Sequence, residues 1–238
     1  MYNSRQHLVL SIFVELEMNI QGVLFDCDGL MFDTERVSQQ MWRNIGKEFG
    51  VEIPDEVFVA ITGVKDDHLL QPYYEKIPHL KDIRDIARTK RFDLDFWASF
   101  YPDGLTKKGL VQLNYYLKEH SIPCAVCSSS KKAYVETLIH TSSVPLYFDA
   151  IIGGDMVVHG KPDPEIFLKG ARIIDVAPEN CLVLEDSKVG ILAARNAGMH
   201  SCFIEDTIHP DEEMLQAIEF QKDDLAQVID ILENRHEL

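Results

Sequence analysis

No apolar run in this 238-residue chain reaches the roughly 18 residues that a membrane-spanning helix needs. The nearest candidate, Leu8 to Leu16, is broken by Ser11 and Glu15, so no membrane partner is expected. Basic residues are scarce: 23 Lys and Arg stand against 39 Asp and Glu, a formal net charge of −16. Such a chain has no general attraction to nucleic-acid backbones or anionic bilayers. An anionic substrate would need local lysines or a metal ion to overcome the long-range repulsion. Residues 1–17 lack the basic start and small-residue cleavage site of a secretory signal, and read as an N-terminal extension of unassigned role. Five cysteines, an odd count without such a signal, predict reduced thiols and a cytoplasmic setting. Cys124 and Cys127 have the spacing of a redox motif, but they sit in an apolar, strand-like run with no second pair to complete a zinc site. On a strand, side chains three apart point to opposite faces, so both are expected to be buried core thiols. The histidines form no metal-ligand pair at helical spacing, and no internal repeat or low-complexity tract is present.

What the chain does contain is an alternation. Ile20 to Phe25 is a short apolar run bounded by polar residues, as in a buried parallel strand. Val37, Met41, Ile45 and Phe49 recur every four residues and predict a helix ending at Gly50. Residues 51 to 100 are helical in pattern, with no clear strand. From Leu105 the order becomes helix (to His120), strand (Pro123 to Cys127), helix (Lys131 to His140) and strand (Ala150 to Gly153). A helix (Pro164 to Ile174), strand (Cys181 to Leu184), helix (Val189 to Ala197), strand (His200 to Ile204) and last helix (Asp223 to Glu233) follow. This order predicts an α/β fold, a doubly wound parallel sheet interrupted after its first strand by an all-helical insert. The expected boundaries are 18–34 and 101–238 for the α/β core and 35–100 for the helical unit.

In such sheets, ligands bind beyond the carboxyl ends of the strands. The first strand ends in Asp26-Cys27-Asp28-Gly29, with two carboxylates able to face one crevice. The strand ending at Cys127 runs into Ser128-Ser129-Ser130, where hydroxyls and free N–H groups suit a phosphate. Lys161 is held between Gly160 and Pro162 just before a helix, and Glu185-Asp186 closes a further strand. Carboxylates converging this way repel one another, and a hard divalent cation such as Mg²⁺ resolves the conflict. Asp26 is then the candidate nucleophile toward phosphorus, with Lys161 and Mg²⁺ neutralising charge. Asp28 is the candidate acid and base, and Ser128, with Ser129 beside it, orients phosphoryl oxygens. Asp186 completes the metal site, with Glu185 on the ion or just behind it.

These segments resemble the haloacid dehalogenase-like superfamily, and most closely its small-capped phosphatase branch that includes beta-phosphoglucomutase. The matching residues run from Phe25 through Glu35, then Cys127 to Ser130, Gly160 to Phe167, Leu184 to Ser187, and Gly190 with Ala193 to Met199. They occur in the family's order. The resemblance implies a doubly wound core, a helical cap after the first motif, and Mg²⁺. It also implies Asp26 as nucleophile, Asp28 as acid and base and as a metal ligand through its backbone carbonyl, Asp186 on the metal, and Ser128 and Lys161 on the phosphate. An Asp at position 28 fits phosphoryl transfer rather than dehalogenation.

The insert departs from the mutase pattern, with Ser38 where mutases carry a His, and Lys65-Asp66 where an Arg follows Gly63-Val64. That shifts the expectation from sugar-phosphate mutase to hydrolysis of a small phosphorylated metabolite by a monomer or weak homodimer. Gly63, Val64 and Lys65 are candidates for facing the substrate, although a solvated Lys65 fits equally well. A phosphorylation-controlled interaction domain, which also groups acids, a hydroxyl and a lysine around Mg²⁺, is the alternative of a different class; the helical insert argues against it.

Overall fold

The computed structural model describes residues 19–61, 70–90, 105–206 and 209–233. Strands β1 (Gly22–Phe25), β2 (Cys124–Ser128), β3 (Ala150–Gly153), β4 (Cys181–Glu185), β5 (His200–Ile204) and β6 (Phe220–Lys222) form one sheet in the order β3-β2-β1-β4-β5-β6. Every pairing is parallel. β1 is central, with Leu24 in register with Ala125 on one side and Val183 on the other. The strand order reverses direction between β1 and β4, which in doubly wound sheets opens a crevice at the carboxyl end.

After β1 the chain forms α1 (Thr34–Glu48), α2 (Asp55–Ile61), α3 (Gln71–Tyr74) and α4 (Leu80–Lys90). On α1, Val37, Met41, Trp42 and Ile45 make a buried stripe, with Glu35 in the first turn and Lys47 in the last, as the helix dipole favours. The helix starts earlier than its apolar spacing predicts and stops at Phe49, before Gly50 at φ 69°. Met41, Trp42, Ile45, Ile53, Val57, Phe58, Leu80 and Ile83 join one apolar cluster of their own, separate from those on the sheet.

The remaining helices cover both faces of the sheet. They are α5 (Leu110–Glu119), α6 (Lys132–His140), α7 (Glu165–Ile173), α8 (Lys188–Asn196), α9 (Glu212–Leu215) and α10 (Val228–Leu232). Val23, Phe25, Val126 and Leu184 pack with Leu113, Leu117, Val135, Leu138 and Val228 on one face. Leu24, Ala125 and Val183 pack with Ile166, Phe167, Ala193 and Ala194 on the other. Cys124 belongs to the first cluster and Cys127 to the second, and all five thiols are buried and unpaired. Burial drives Cys124 and Cys127 up to about 12, which removes the thiolate that redox exchange needs.

Two expected helices are corrected. The one predicted from Leu105 begins only at Leu110. Residues 105–107 pair instead with the loop after β1: Asp33 N–H donates to Leu105 O at 3.0 Å and Lys107 N–H to Met31 O at 2.8 Å. The one predicted over Asp223–Glu233 is shorter, because Asp224 accepts from Ala226 N–H at 2.9 Å and caps a 3₁₀ turn ahead of α10. β6 and α9, at three and four residues, are too short for periodicity to mark.

The approach to β3 is fixed by a buried amide. Asn114 on α5 is fully buried, donates through Nδ2 to Tyr147 O at 2.8 Å and accepts at Oδ1 from Tyr147 N–H at 2.9 Å. Asn114→Leu keeps the volume but strands both backbone groups, so it is expected to lower unfolding free energy by ~1–3 kcal/mol. An unchanged urea midpoint at constant m-value would show that this bracket contributes nothing.

Candidate active site

Because all strands are parallel, the residues that follow them share one rim. Asp26 continues the β1 ladder, its N–H on Leu184 O at 3.0 Å, and is therefore buried next to β4. Lys161 arrives from the loop between β3 and α7, and its side chain is only 2% exposed. Its ammonium donates to Asp26 Oδ1 and to Glu185 Oε1, each at 2.5 Å, and lies 4.7 Å from the centre of the Phe167 ring. The other Glu185 oxygen accepts from Asp186 N–H at 3.1 Å, Ser187 N–H at 3.0 Å and the Ser187 hydroxyl at 2.8 Å. Glu185 is thus committed to protein donors and fixes both Lys161 and the turn that presents Asp186. The first turn of α8 packs against Glu185 so closely that a Cβ at position 190 would fall 1.8 Å from Glu185 Oε1.

Asp28 stands across the crevice. Its Oδ2 accepts from the Ser130 hydroxyl at 2.7 Å and lies 3.4 Å from the Ser128 hydroxyl, which itself accepts from Ser130 N–H at 2.9 Å. Gly29, at φ 84°, turns the chain away, and a Cβ there would stand 2.2 Å from Asp186 Oδ2. Asp26, Glu185 and Asp186 each offer an oxygen within 4.8 Å of the others.

Among the described residues, three buried carboxylates gather here, and the Lys161 ammonium bonds two of them. Burial pushes the Asp26 carboxyl up, the Lys161 ammonium pulls it back, and Glu185 raises it again, leaving it at about 7. Burial, then Glu185 and Asp26, hold Asp186 well above the usual carboxylate range. Burial works against the charge on Lys161, but Asp26 and Glu185 outweigh it and raise its pKa. One positive charge is therefore too few for this cluster, and an all-oxygen donor set with an unmet negative charge fits a hard divalent cation.

The fold thus brings together Asp26, Asp28, Ser128, Lys161, Glu185 and Asp186. Ser129 is half-buried beside them, and it is Ser130 whose hydroxyl reaches Asp28. Gly63, Val64 and Lys65 lie outside the described residues. Two supports lie within the matching segments, but local pattern gives no sign of the partners they reach. Asn196, at the end of α8, donates to Pro162 O at 3.0 Å. Glu165 accepts from Val158 N–H at 3.0 Å and His159 N–H at 2.8 Å. Both tie down the loop that carries Lys161.

Comparison with known proteins shows the family and the shared fold. Residues 23–204 match the family model described as "Haloacid dehalogenase-like hydrolase". The chain is 32% identical over 180 residues to the fructose-1-phosphate phosphatase YqaB of Escherichia coli, covering 75% of this chain and 93% of that protein. It is 27% identical over 186 residues to the beta-phosphoglucomutase of Bacillus subtilis, covering 76% and 81%. Among solved structures, CbbY from Rhodobacter sphaeroides in complex with phosphate superposes at a TM-score of 0.68, covering 88% of this chain and 96% of that one. At 24% identity, this shows the shared fold. Phosphatases and mutases of this family generally depend on a metal ion.

A cation bound at this carboxylate cluster would be linked to pH. In the metal-free protein, Asp26 keeps its proton up to about pH 7, whereas in the unfolded chain it loses it near 3.8. The folded state therefore binds more protons across that window, and this group's contribution to stability falls as pH rises through it. A cation competes with that proton, so saturating Mg²⁺ is expected to raise the melting temperature more above about pH 7 than near pH 5. Scanning calorimetry at both values checks this, and an equal rise at both would contradict the linkage.

Proposed function

This chain belongs to the haloacid dehalogenase-like hydrolases, and on that premise we propose that it is a Mg²⁺-dependent phosphatase acting on a small sugar phosphate or related metabolite through an aspartyl-phosphate on Asp26. The observation that carries this reading is the Lys161 ammonium seated between Asp26 and Glu185, beside the buried carboxyl of Asp186. It orients a carboxylate that is buried yet open to the rim. The names of the relatives, a sugar-phosphate phosphatase among them, support the substrate class.

In this reading one Asp26 oxygen attacks phosphorus while Lys161 holds Oδ1 and fixes the rotation of the carboxylate. Asp28, held by the Ser130 and Ser128 hydroxyls, gives its proton to the leaving alcohol oxygen as the ester bond breaks. Asp28 then takes a proton from the water that attacks the aspartyl-phosphate, releasing inorganic phosphate and restoring Asp26. Ser128 orients the phosphoryl oxygens. Asp26, Asp186 and the backbone carbonyl of Asp28 would hold the metal, with Glu185 behind them, and Mg²⁺ would supply charge neutralisation to the transferring phosphoryl group. Residues 35–100 act as a cap over this crevice, with 18–34 and 101–238 as the catalytic unit. Five buried, unpaired thiols support a reducing, cytoplasmic setting.

Phosphate release from a panel of phosphorylated sugars tests the reading. Asp26→Asn is expected to lose ~10³-fold or more in kcat while keeping its fold, since it removes a like charge from the cluster. EDTA is expected to abolish turnover and Mg²⁺ to restore it. A fully active Asp26→Asn protein would refute the assignment. An isomerised sugar phosphate in place of free phosphate would point to a mutase.

A further inference from the structure

Asp206 follows β5, the strand beside β4, and its side chain is 11% exposed. One oxygen, Oδ1, accepts from Lys107 Nζ. The other, Oδ2, is buried without a hydrogen-bond partner among the described residues. A buried carboxylate oxygen lacking a donor is costly, so a fold that retains one calls for a physical reason. The direction of this oxygen supplies it. A Cβ on Gly29 would stand 3.3 Å from Asp206 Oδ2 and 2.2 Å from Asp186 Oδ2, so the two carboxylates meet over the same glycine. After burial, Glu185 and Asp26, the charge of Asp206 is the next largest influence holding the Asp186 carboxyl up.

Lys107 is anchored to the same place. Its N–H donates to Met31 O at 2.8 Å, within the loop that carries Asp28 and Gly29. The Lys107–Asp206 pair therefore joins the loop after β1 to the end of β5, with the free oxygen facing the acids between them. A small hard cation keeps several of its waters, and those waters need acceptors for their protons.

We propose that Asp206 is a positioning residue of the metal site. Its Oδ2 accepts a hydrogen bond from a water carried by the ion that Asp26, Asp28 and Asp186 hold, and Lys107 fixes the carboxylate in that orientation. The inference rests on the metal-dependent reading above, and it extends the site to a fifth strand end.

Calorimetric titration of the metal-free protein with Mg²⁺ alone tests it. Asp206→Asn is expected to weaken Mg²⁺ binding by ~10–100-fold. The metal-free variant should unfold at the urea midpoint of the wild type or above it, because a like charge has left the cluster. A purely structural residue would give the opposite pattern, a lower midpoint with unchanged affinity, and that result overturns the proposal. Asp206→Ser, smaller and also neutral, is the second variant and should weaken binding similarly. If neither variant folds, the acid is required by the fold itself and the proposal fails. Wild-type protein that takes up no Mg²⁺ would overturn the metal-dependent reading as well, whereas equal affinity in wild type and variant overturns this inference alone.

Discussion

The structure is organised around one ammonium group. Lys161 sits between Asp26 and Glu185 with almost no exposure to water, and neither carboxylate would tolerate its depth without it. Pairs of this kind contribute little net stability when the desolvation of both partners is counted. Their effect is on geometry: a lysine bound at two points cannot wander, and the carboxylates it joins are held at a fixed separation. The surrounding contacts serve that lysine. Asn196 and Glu165 brace its loop, Phe167 lies beneath its charge, and Ser187 with two backbone amides holds Glu185 from behind.

The parallel sheet makes such a gathering possible. Each crossover returns the chain to the same end, so the segments after β1, β2, β3, β4 and β5 contribute side chains to one rim. Rigid strands flank the crevice on both sides, and backbone pairing with β4 fixes Asp26 directly. The charge imbalance that results is intrinsic to this construction. Among the described residues three buried acids share one lysine, and a cation bound there would relieve that imbalance and compete with the proton on Asp26.

Most of this was legible in the sequence, for a physical reason. Asp26, Asp28, Ser128, Glu185 and Asp186 each follow an apolar run that marks a buried strand, and Lys161 stands between Gly160 and Pro162, which mark a turn. Local pattern thus located them, and topology brought them together. Residues whose role depends on a distant partner left no such trace. Asp206 follows a strand as the others do, but its lysine lies 99 positions earlier, in a segment whose apolar spacing suggested a helix. The difference between Ser129 and Ser130 was equally hidden, because three consecutive hydroxyls look alike until backbone direction decides which one meets Asp28. The short β6 and α9 escaped notice because elements of three or four residues carry no period.

The central position of β1 has a consequence for how the protein comes into being. β1, the earliest of the described strands, is flanked by β2 and β4, and the lysine that neutralises its aspartate lies 135 residues further on. Until β4 has been synthesised, one edge of β1 has no partner and its apolar side chains have no second wall. The nascent chain is therefore most exposed to aggregation while its later half is still emerging. The helices of the insert, built from local contacts, are free to condense early. The crevice is complete only once β4 has paired with β1.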